Sequence, residues 1–279
     1  MAELSATLID VGWGDSIFIK SQGDQGGPRF ALVDCNDYEN ERSSLIFVKR
    51  WFHRNQVDFE SIEHNFEWVL LTHGHADHAR GLKRMLKTFG TRNFWYPKSV
   101  ESTTYGNLLN YANRSSRVDH HEAVNHTKTF AGDFGDVAIE ILWPNNNQID
   151  ETNENNNSVV LAMTLGTVTF VLTGDSEAPN WATISQRLPS TVRVFQAPHH
   201  GARNGMFDGQ TTPWLDRLQQ LPHPVAVAMS SHIRPHGHPH PDVIHEITQR
   251  DLPRFRTDED YHLTFSTHGT DVAVKYSHV

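Results

Sequence analysis

Apolar positions along this chain come in two patterns, short runs bounded by polar residues and longer stretches where they recur at every third or fourth place. The first reads as buried strand and the second as amphipathic helix. Leu4 to Asp10, Ser16 to Lys20 and Arg29 to Asp34 read as strands, with a Gly-rich turn at Gly23 to Gly27. Arg42 to Gln56 places Leu45, Ile46, Val48, Trp51 and Phe52 at helical spacing, and Phe66 to Thr72 is a short apolar run that reads as a strand. A helix over Ala79 to Phe89, a strand near Phe94 to Tyr96 and a helix over Thr104 to Arg114 follow. Strands are predicted at Val137 to Trp143, Ser158 to Leu165, Val168 to Leu172, Val192 to Ala197, Val225 to Met229, Leu263 to Ser266 and Asp271 to Lys275. Helices are predicted at Ala178 to Arg187, Thr212 to Gln220 and Pro241 to Gln249. This order supports an α/β fold of two sheets flanked by helices, and we read residues 1–279 as one domain, a length able to bury a large core. The one low-complexity stretch, Asn145 to Asn157, reads as a polar loop.

Composition narrows the classes. The 279 residues carry a net charge of −9, which gives no general basic footprint for extended nucleic acid, although bound divalent cations would offset it locally. The single cysteine, Cys35, excludes an internal disulfide and fits a reducing compartment. Residues 1–5 show no signal-peptide pattern, and no apolar run approaches the roughly 20 residues of a membrane span, so a soluble, cytoplasmic protein without a membrane partner is expected.

The chemistry concentrates at His73-Gly74-His75-Ala76-Asp77-His78, directly after the Phe66 to Thr72 strand. Residues two apart in extended chain point to one side, so His73 and His75 can converge on one cation while Asp77 and His78 reach a second. Imidazole with carboxylate suits zinc, manganese or iron and argues against calcium or magnesium. With 19 histidines in the chain some clustering is expected by composition alone, and His53, His64, His120, His121, His126 and His278 read as ordinary surface residues. Asp34, closing a strand, is the candidate carboxylate for orienting a ligand imidazole.

The motif resembles that of the metallo-β-lactamase fold superfamily. Leu8-Ile9-Asp10-Val11-Gly12-Trp13-Gly14-Asp15-Ser16 is similar to the "DVGQGDA" opening of the nuclease-like domain of the ComEC/Rec2 DNA-uptake proteins. Leu32-Val33-Asp34, Asn157-Ser158-Val159-Val160-Leu161, Leu172-Thr173-Gly174-Asp175, Pro198-His199-His200-Gly201, Gly237-His238-Pro239 and Arg256-Thr257 continue in that group's order. The resemblance implies a four-layer αββα sandwich and a site for two divalent metal ions, Zn or Mn. It implies that Asp175 bridges them and that His200, or its neighbour His199, is a ligand of the second metal. His238 then binds a phosphate oxygen or protonates a leaving group. Three departures stand out: Trp13 replaces a Gln, His75 replaces a frequent Asp, and the usual third-motif histidine gives way to the segment ending at Asn157, which leaves one metal short of a ligand or makes Asn157 a substrate contact.

Two cations about 3.5–4 Å apart can share a hydroxide and stabilise an in-line displacement. The expected activity is therefore metal-dependent hydrolysis of a phosphodiester, in a nucleic acid or nucleotide, with Asp77 and His238 in the catalytic machinery. The other readings are hydrolysis of a lactone, β-lactam or phosphocholine ester on the same fold, and a weakly active binding or effector module.

Overall fold

The computed structural model describes residues 1–100, 102–130, 134–146 and 148–277, so His278 lies outside the described residues. Its strands are β1 (Glu3–Leu8), β2 (Ile17–Gln22), β3 (Arg29–Val33), β4 (Phe66–Leu70), β5 (Thr91–Tyr96), β6 (Val118–Ala123) and β7 (Ala138–Trp143). The second half adds β8 (Val160–Leu165), β9 (Val168–Leu172), β10 (Val192–Gln196), β11 (Ala226–Met229), β12 (Arg254–Arg256), β13 (His262–Thr267) and β14 (Val272–Ser277). The helices are α1 (Ser43–Arg54), α2 (Ala76–Ala79), α3 (Leu82–Phe89), α4 (Thr103–Ala112), α5 (Ala178–Ile184), α6 (Arg203–Met206), α7 (Pro213–Gln219), α8 (Pro241–Gln249) and α9 (Thr257–Asp260).

The strands form an eight-stranded sheet, β14-β13-β1-β2-β3-β4-β5-β6, and a six-stranded sheet, β12-β11-β10-β9-β8-β7. Each is mixed: β3 to β6 run parallel, as do β9 to β12, and the other pairings are antiparallel. Because side chains alternate across a strand, each sheet presents two apolar faces. Ile17, Ile19, Ala31, Val33, Trp68 and Leu70 of one sheet meet Leu161, Met163, Phe170, Leu172 and Val194 of the other in the layer between them. The intervening residues point outward: Phe18, Leu32 and Val69 pack on α1, α3 and α4, and Val160, Val171 and Phe195 pack on α5, α7 and α8. The result is the four-layer αββα sandwich, and full burial of each large apolar side chain contributes roughly 1.5–3 kcal/mol.

Three differences from the sequence reading have physical causes. The helix expected over Ala79 to Phe89 is two, α2 and α3, because the chain at Gly81 passes so close to the Cys35–Asp37 segment that a Cβ there would run into Cys35 Sγ and the Asp37 backbone. Strands β6 and β12 were not predicted; both are sheet edges, where a strand keeps polar residues such as Asp119, His120, His121 and Glu122 and loses the apolar alternation. Helix α5 stops at Ile184 and continues as a 3-10 turn over Ser185–Arg187. No helix among the described residues is long and apolar enough to cross a membrane.

Candidate metal centre

The segment after β4 is braced on both sides. Val159 N donates to Thr72 O (2.8 Å) and Gly74 N donates to the Glu154 carboxylate (2.8 Å), so the Asn-rich loop supports the His73 motif. Opposite, Cys35 N donates to His78 O (2.8 Å), and Gly14 at φ +90° lies where a Cβ would stand 2.5 Å from Asp77 O. Only glycine accepts both that backbone angle and that approach.

These braces gather the predicted ligands around the Asp175 carboxylate, which leaves the end of β9. His78 Nε2 and His200 Nε2 lie 3.3 and 3.4 Å from Asp175 Oδ1, and Asp77 Oδ2 lies 3.6 and 3.8 Å from the same two nitrogens. Asp175 Oδ2 faces His73 Nε2 (3.8 Å) and His199 Nε2 (3.7 Å), and His73 Nε2 is 3.1 Å from His75 Nδ1. Tetrahedral coordination with bonds of about 2.0–2.1 Å sets ligand atoms about 3.3 Å apart, so these separations are those of donors that share cations. His78 Nε2, His200 Nε2 and Asp175 Oδ1 are buried and have no hydrogen-bond partner. Buried polar atoms are nearly always paired, and three unpaired donors converging on one point fit a divalent cation.

The far nitrogens of the rings are held separately. Asp34 Oδ2 lies 2.7 Å from His78 Nδ1 while Asp34 accepts from Thr72 N (2.7 Å) and Thr72 Oγ1 (2.5 Å). His200 Nδ1 lies 3.0 Å from Ser230 O, at the end of β11. Asp15, which the sequence reading gave no role, stands 3.8 Å from both His78 Nδ1 and His200 Nδ1 and accepts from Gln196 Nε2 (2.8 Å). Asp15, His78, Asp175 and His200 each offer an atom within 4.8 Å of the others. Asp15 nevertheless faces the Nδ1 edges, away from the Nε2 edges that converge on Asp175, so we place it behind the rings, where its charge faces both without a hydrogen bond to either. Its one sequence signal was its place in the opening motif.

Electrostatics follow the geometry. Burial raises Asp34 to about 6, against the pull of His78. Burial disfavours charge on His78 and His200, yet the carboxylates win: Asp175, Asp34 and Asp77 push His78 well above its ordinary value, and Asp175 and Asp15 push His200 to about 9. Burial and the neighbouring His78 drive His73 well below it. Burial would raise Asp77 and Asp175, but the surrounding histidines hold both below the usual carboxylate range. Burial, then the nearby His199, His200 and His236, lower His238 to about 4, leaving a neutral imidazole at neutral pH.

His199 and His200 both adopt left-handed backbone, φ 52° and 55°. Such a conformation costs a non-glycine residue roughly 1–2 kcal/mol, and strain of this kind collects at functional sites. His238 sits half-buried beside them, its ring 5.6 Å from that of His199 and 5.9 Å from that of His236, with a buried Nδ1 lacking a partner. Trp13 packs edge-on against His236 at 5.0 Å. Asn157 is placed differently from its sequence reading as a substrate contact: its side chain accepts from Asp150 N and donates to Asp150 O and Glu154, all within its own loop.

The family model described as the Metallo-beta-lactamase superfamily matches residues 65–227. ComE operon protein 3 of Bacillus subtilis (strain 168) is 23% identical over 275 residues, 93% of this chain and 32% of that protein. The Uncharacterized protein YcaI of Escherichia coli (strain K12) is 28% identical over 227 residues, 80% of this chain and 25% of that protein. The chain thus spans a third or less of the length of these relatives. Among solved structures, the metallo-beta-lactamase fold protein YhfI from Bacillus subtilis superposes with a TM-score of 0.56 at 11% identity, covering 99% of this chain and 100% of that one. Unliganded yeast PDE1 gives 0.54 at 13% identity, covering 92% and 98%. These two likenesses speak to the fold, and the family model, which covers more than half the residues, settles the kinship: the chain belongs to the metallo-beta-lactamase superfamily of metal-dependent hydrolases.

Proposed function

We propose that this chain is a phosphodiesterase that cleaves phosphodiester bonds in nucleotides or short single-stranded nucleic acid with two divalent cations, Zn or Mn. The observation that supports it best is the division of donors about Asp175, with His78 Nε2, His200 Nε2 and Asp77 by one carboxylate oxygen and His73 and His199 by the other. The ordered motifs, similar to those of the ComEC/Rec2 nuclease-like domain, add the choice of phosphodiester. A net charge of −9 favours short substrates over extended duplex, which needs many cationic phosphate contacts.

Two cations at such a site supply Lewis acidity and lower the pKa of a water molecule, so no strong protein base is needed. The protein's part is placement. Asp34 and Ser230 O fix which nitrogen of His78 and His200 carries the hydrogen, which leaves the Nε2 lone pairs aimed inward. Asp175 reaches both halves of the centre at once. His238, neutral and beside His199, donates a hydrogen bond to a phosphate oxygen and holds the scissile group over the cluster.

The test is a hydrolysis panel with the metal-loaded protein in Mn²⁺ and Zn²⁺: bis(p-nitrophenyl) phosphate, cyclic nucleotides, single- and double-stranded DNA, RNA, a lactone and a β-lactam. Turnover of phosphodiesters that stops with chelator is expected, with single strands cut faster than duplex. Turnover of the lactone or lactam with none of any phosphodiester would sink the reading.

A further inference from the structure

The third-motif position of the superfamily does not supply an imidazole here, since Asn157 stands in its place and spends its side chain on Asp150 and Glu154. The His73–His75 pair is nevertheless not left with two nitrogens. His199 Nε2 lies 3.7 Å from Asp175 Oδ2, the same oxygen that His73 Nε2 faces at 3.8 Å, while His200 Nε2 lies 3.4 Å from Asp175 Oδ1, the oxygen that His78 faces. Consecutive residues have been sorted to opposite sides of one carboxylate.

The backbone explains how. Adjacent side chains of extended chain point in opposite directions, and both could not reach one carboxylate. At His199 and His200 the chain turns through left-handed helical geometry, φ/ψ 52°/47° and 55°/22°, so successive side chains diverge by roughly a helical step of 100°. Their rings end 6.2 Å apart with planes at 71°, straddling Asp175. The turn is pinned beside that residue, because His199 N donates to Gly174 O (3.1 Å) and Ala202 N donates to His199 O (2.7 Å). The other edge of the His199 ring faces a carboxylate as well: Nδ1 is 3.7 Å from Glu177 Oε1, which accepts from Asn155 Nδ2 (2.8 Å) and Asn204 Nδ2 (2.7 Å). At that distance Glu177 is a charged neighbour of the ring and not a hydrogen-bond partner.

We propose that His199 and His200 each ligate a different cation, His199 completing the site of His73, His75 and Asp175 Oδ2 in place of the absent third-motif histidine, and His200 completing that of Asp77, His78 and Asp175 Oδ1. The proposal rests on the dinuclear reading of the centre, but it assigns ligands without reference to substrate. A phosphodiester assay can therefore fail while the assignment stands.

The experiment is metal counting on the purified full chain, reconstituted with Zn²⁺ alone, desalted and measured by elemental analysis and calorimetric titration. The variants are His199→Ala, His199→Asn, His75→Ala, His200→Ala and two doubles. Asn tolerates left-handed backbone, so His199→Asn removes the imidazole while keeping the turn, and circular dichroism checks the fold. Both His199 variants should fall from two equivalents to one, with the affinity of the remaining cation within about threefold of the parent. His75→Ala/His199→Ala should still hold one equivalent, because both changes strike one site, whereas His199→Ala/His200→Ala should hold none tightly. Two equivalents bound with parental affinity in both His199 variants would overturn the assignment, as would retention of one tight equivalent in the His199→Ala/His200→Ala protein.

Discussion

Asp34→Asn is the sharpest probe of how the centre is oriented, because it keeps the side chain's size while removing its charge and changing which atoms beside His78 carry hydrogens. Asp34 has left-handed backbone, φ 55°, which Asn tolerates as well as Asp, and the two side chains are nearly the same size. In the native protein three donors meet two acceptor oxygens: Thr72 N at 2.7 Å on Oδ1, with Thr72 Oγ1 at 2.5 Å and His78 Nδ1 at 2.7 Å on Oδ2. Asn offers one oxygen and one NH₂. If its oxygen faces Thr72 N, the NH₂ faces His78 Nδ1, which must then become the acceptor. The imidazole hydrogen moves to Nε2, the atom that lies 3.3 Å from Asp175 Oδ1, and the lone pair needed by a cation is lost. If the amide is turned the other way, two buried donors confront each other across Thr72 N, at a cost of about 1–3 kcal/mol. Loss of a partner that orients a metal-binding imidazole typically weakens affinity 10–100-fold, which is about 1.4–2.7 kcal/mol and falls inside the range given by the hydrogen-bond argument. Competition titration of Zn²⁺ against a chelating dye should show one cation weakened by that factor, with the other within about threefold of the parent. Equal affinities for both cations in parent and variant, with the fold intact, would refute the orienting role.

Asp175→Asn should lose metal from both halves of the centre, and turnover should fall about 10³-fold or more, because several kcal/mol of charge stabilisation depend on the cations it holds; elemental analysis with steady-state kinetics checks this, and near-normal turnover would contradict the bridging geometry. His200 is raised to about 9 and His78 also lies well above its ordinary value, so the metal-free protein holds protons there that a cation must displace. Calorimetry at pH 7.5 in buffers of different ionisation enthalpy should report release of about two protons on full loading. The sign for stability follows: a raised folded-state value gives stability fully present below the unfolded value near 6.5 and lost as pH rises through about 9. Metal-free protein should therefore melt at progressively lower temperature between those limits, and a flat or rising Tm there would count against the protonated state. His238→Ala should keep both cations while kcat/KM for a phosphodiester falls roughly 10–100-fold, the worth of a hydrogen bond to a charged group at about 1.5–3 kcal/mol; loss of metal in that variant would make His238 a ligand.

Much of this was legible because it is local. The Phe66 to Thr72 run and the six residues after it carry strand, turn and candidate ligand chemistry in one uninterrupted segment, and periodicity separated most strands from helices, while their division into two sheets came with the family resemblance. What was not legible depends on contacts far apart in sequence or on backbone angles. Asp15 reaches the His78 and His200 rings from the opening loop, and its spacing from either gives no ligand signal. Glu154 braces Gly74 across the Asn-rich loop, so a stretch that reads as polar surface carries support for the metal segment. The choice between His199 and His200 stayed open because the sequence does not reveal a pair of left-handed residues. In the structure the turn brings both rings to Asp175, His199 Nε2 at 3.7 Å from Oδ2 and His200 Nε2 at 3.4 Å from Oδ1, which is the basis for proposing both as ligands. Strand β6 escaped notice for the opposite reason, since an edge strand with one open side need not alternate.

The centre also joins the two sheets, which bears on how so many buried charges are tolerated. Asp34 and His73 to His78 stand at the ends of β3 and β4 in one sheet, while Asp175, His199, His200 and Ser230 stand at the ends of β9, β10 and β11 in the other. Asp15, Asp34, Asp77 and Asp175 are all buried there, and unpaired buried carboxylates would oppose the closing of the sandwich. Protons on His78 and His200 answer that charge in the metal-free chain, since each ring has a carboxylate near both of its nitrogens. The two sheets can thus come together before any cation arrives, and the cation then replaces protons at a site already formed. On this argument metal should raise the melting temperature of an already folded protein, in contrast to small zinc domains that fold only with their ion. Circular dichroism of chelator-treated protein decides it: a native spectrum with a lowered Tm supports the proton-exchange account, and a disordered spectrum at pH 7 refutes it.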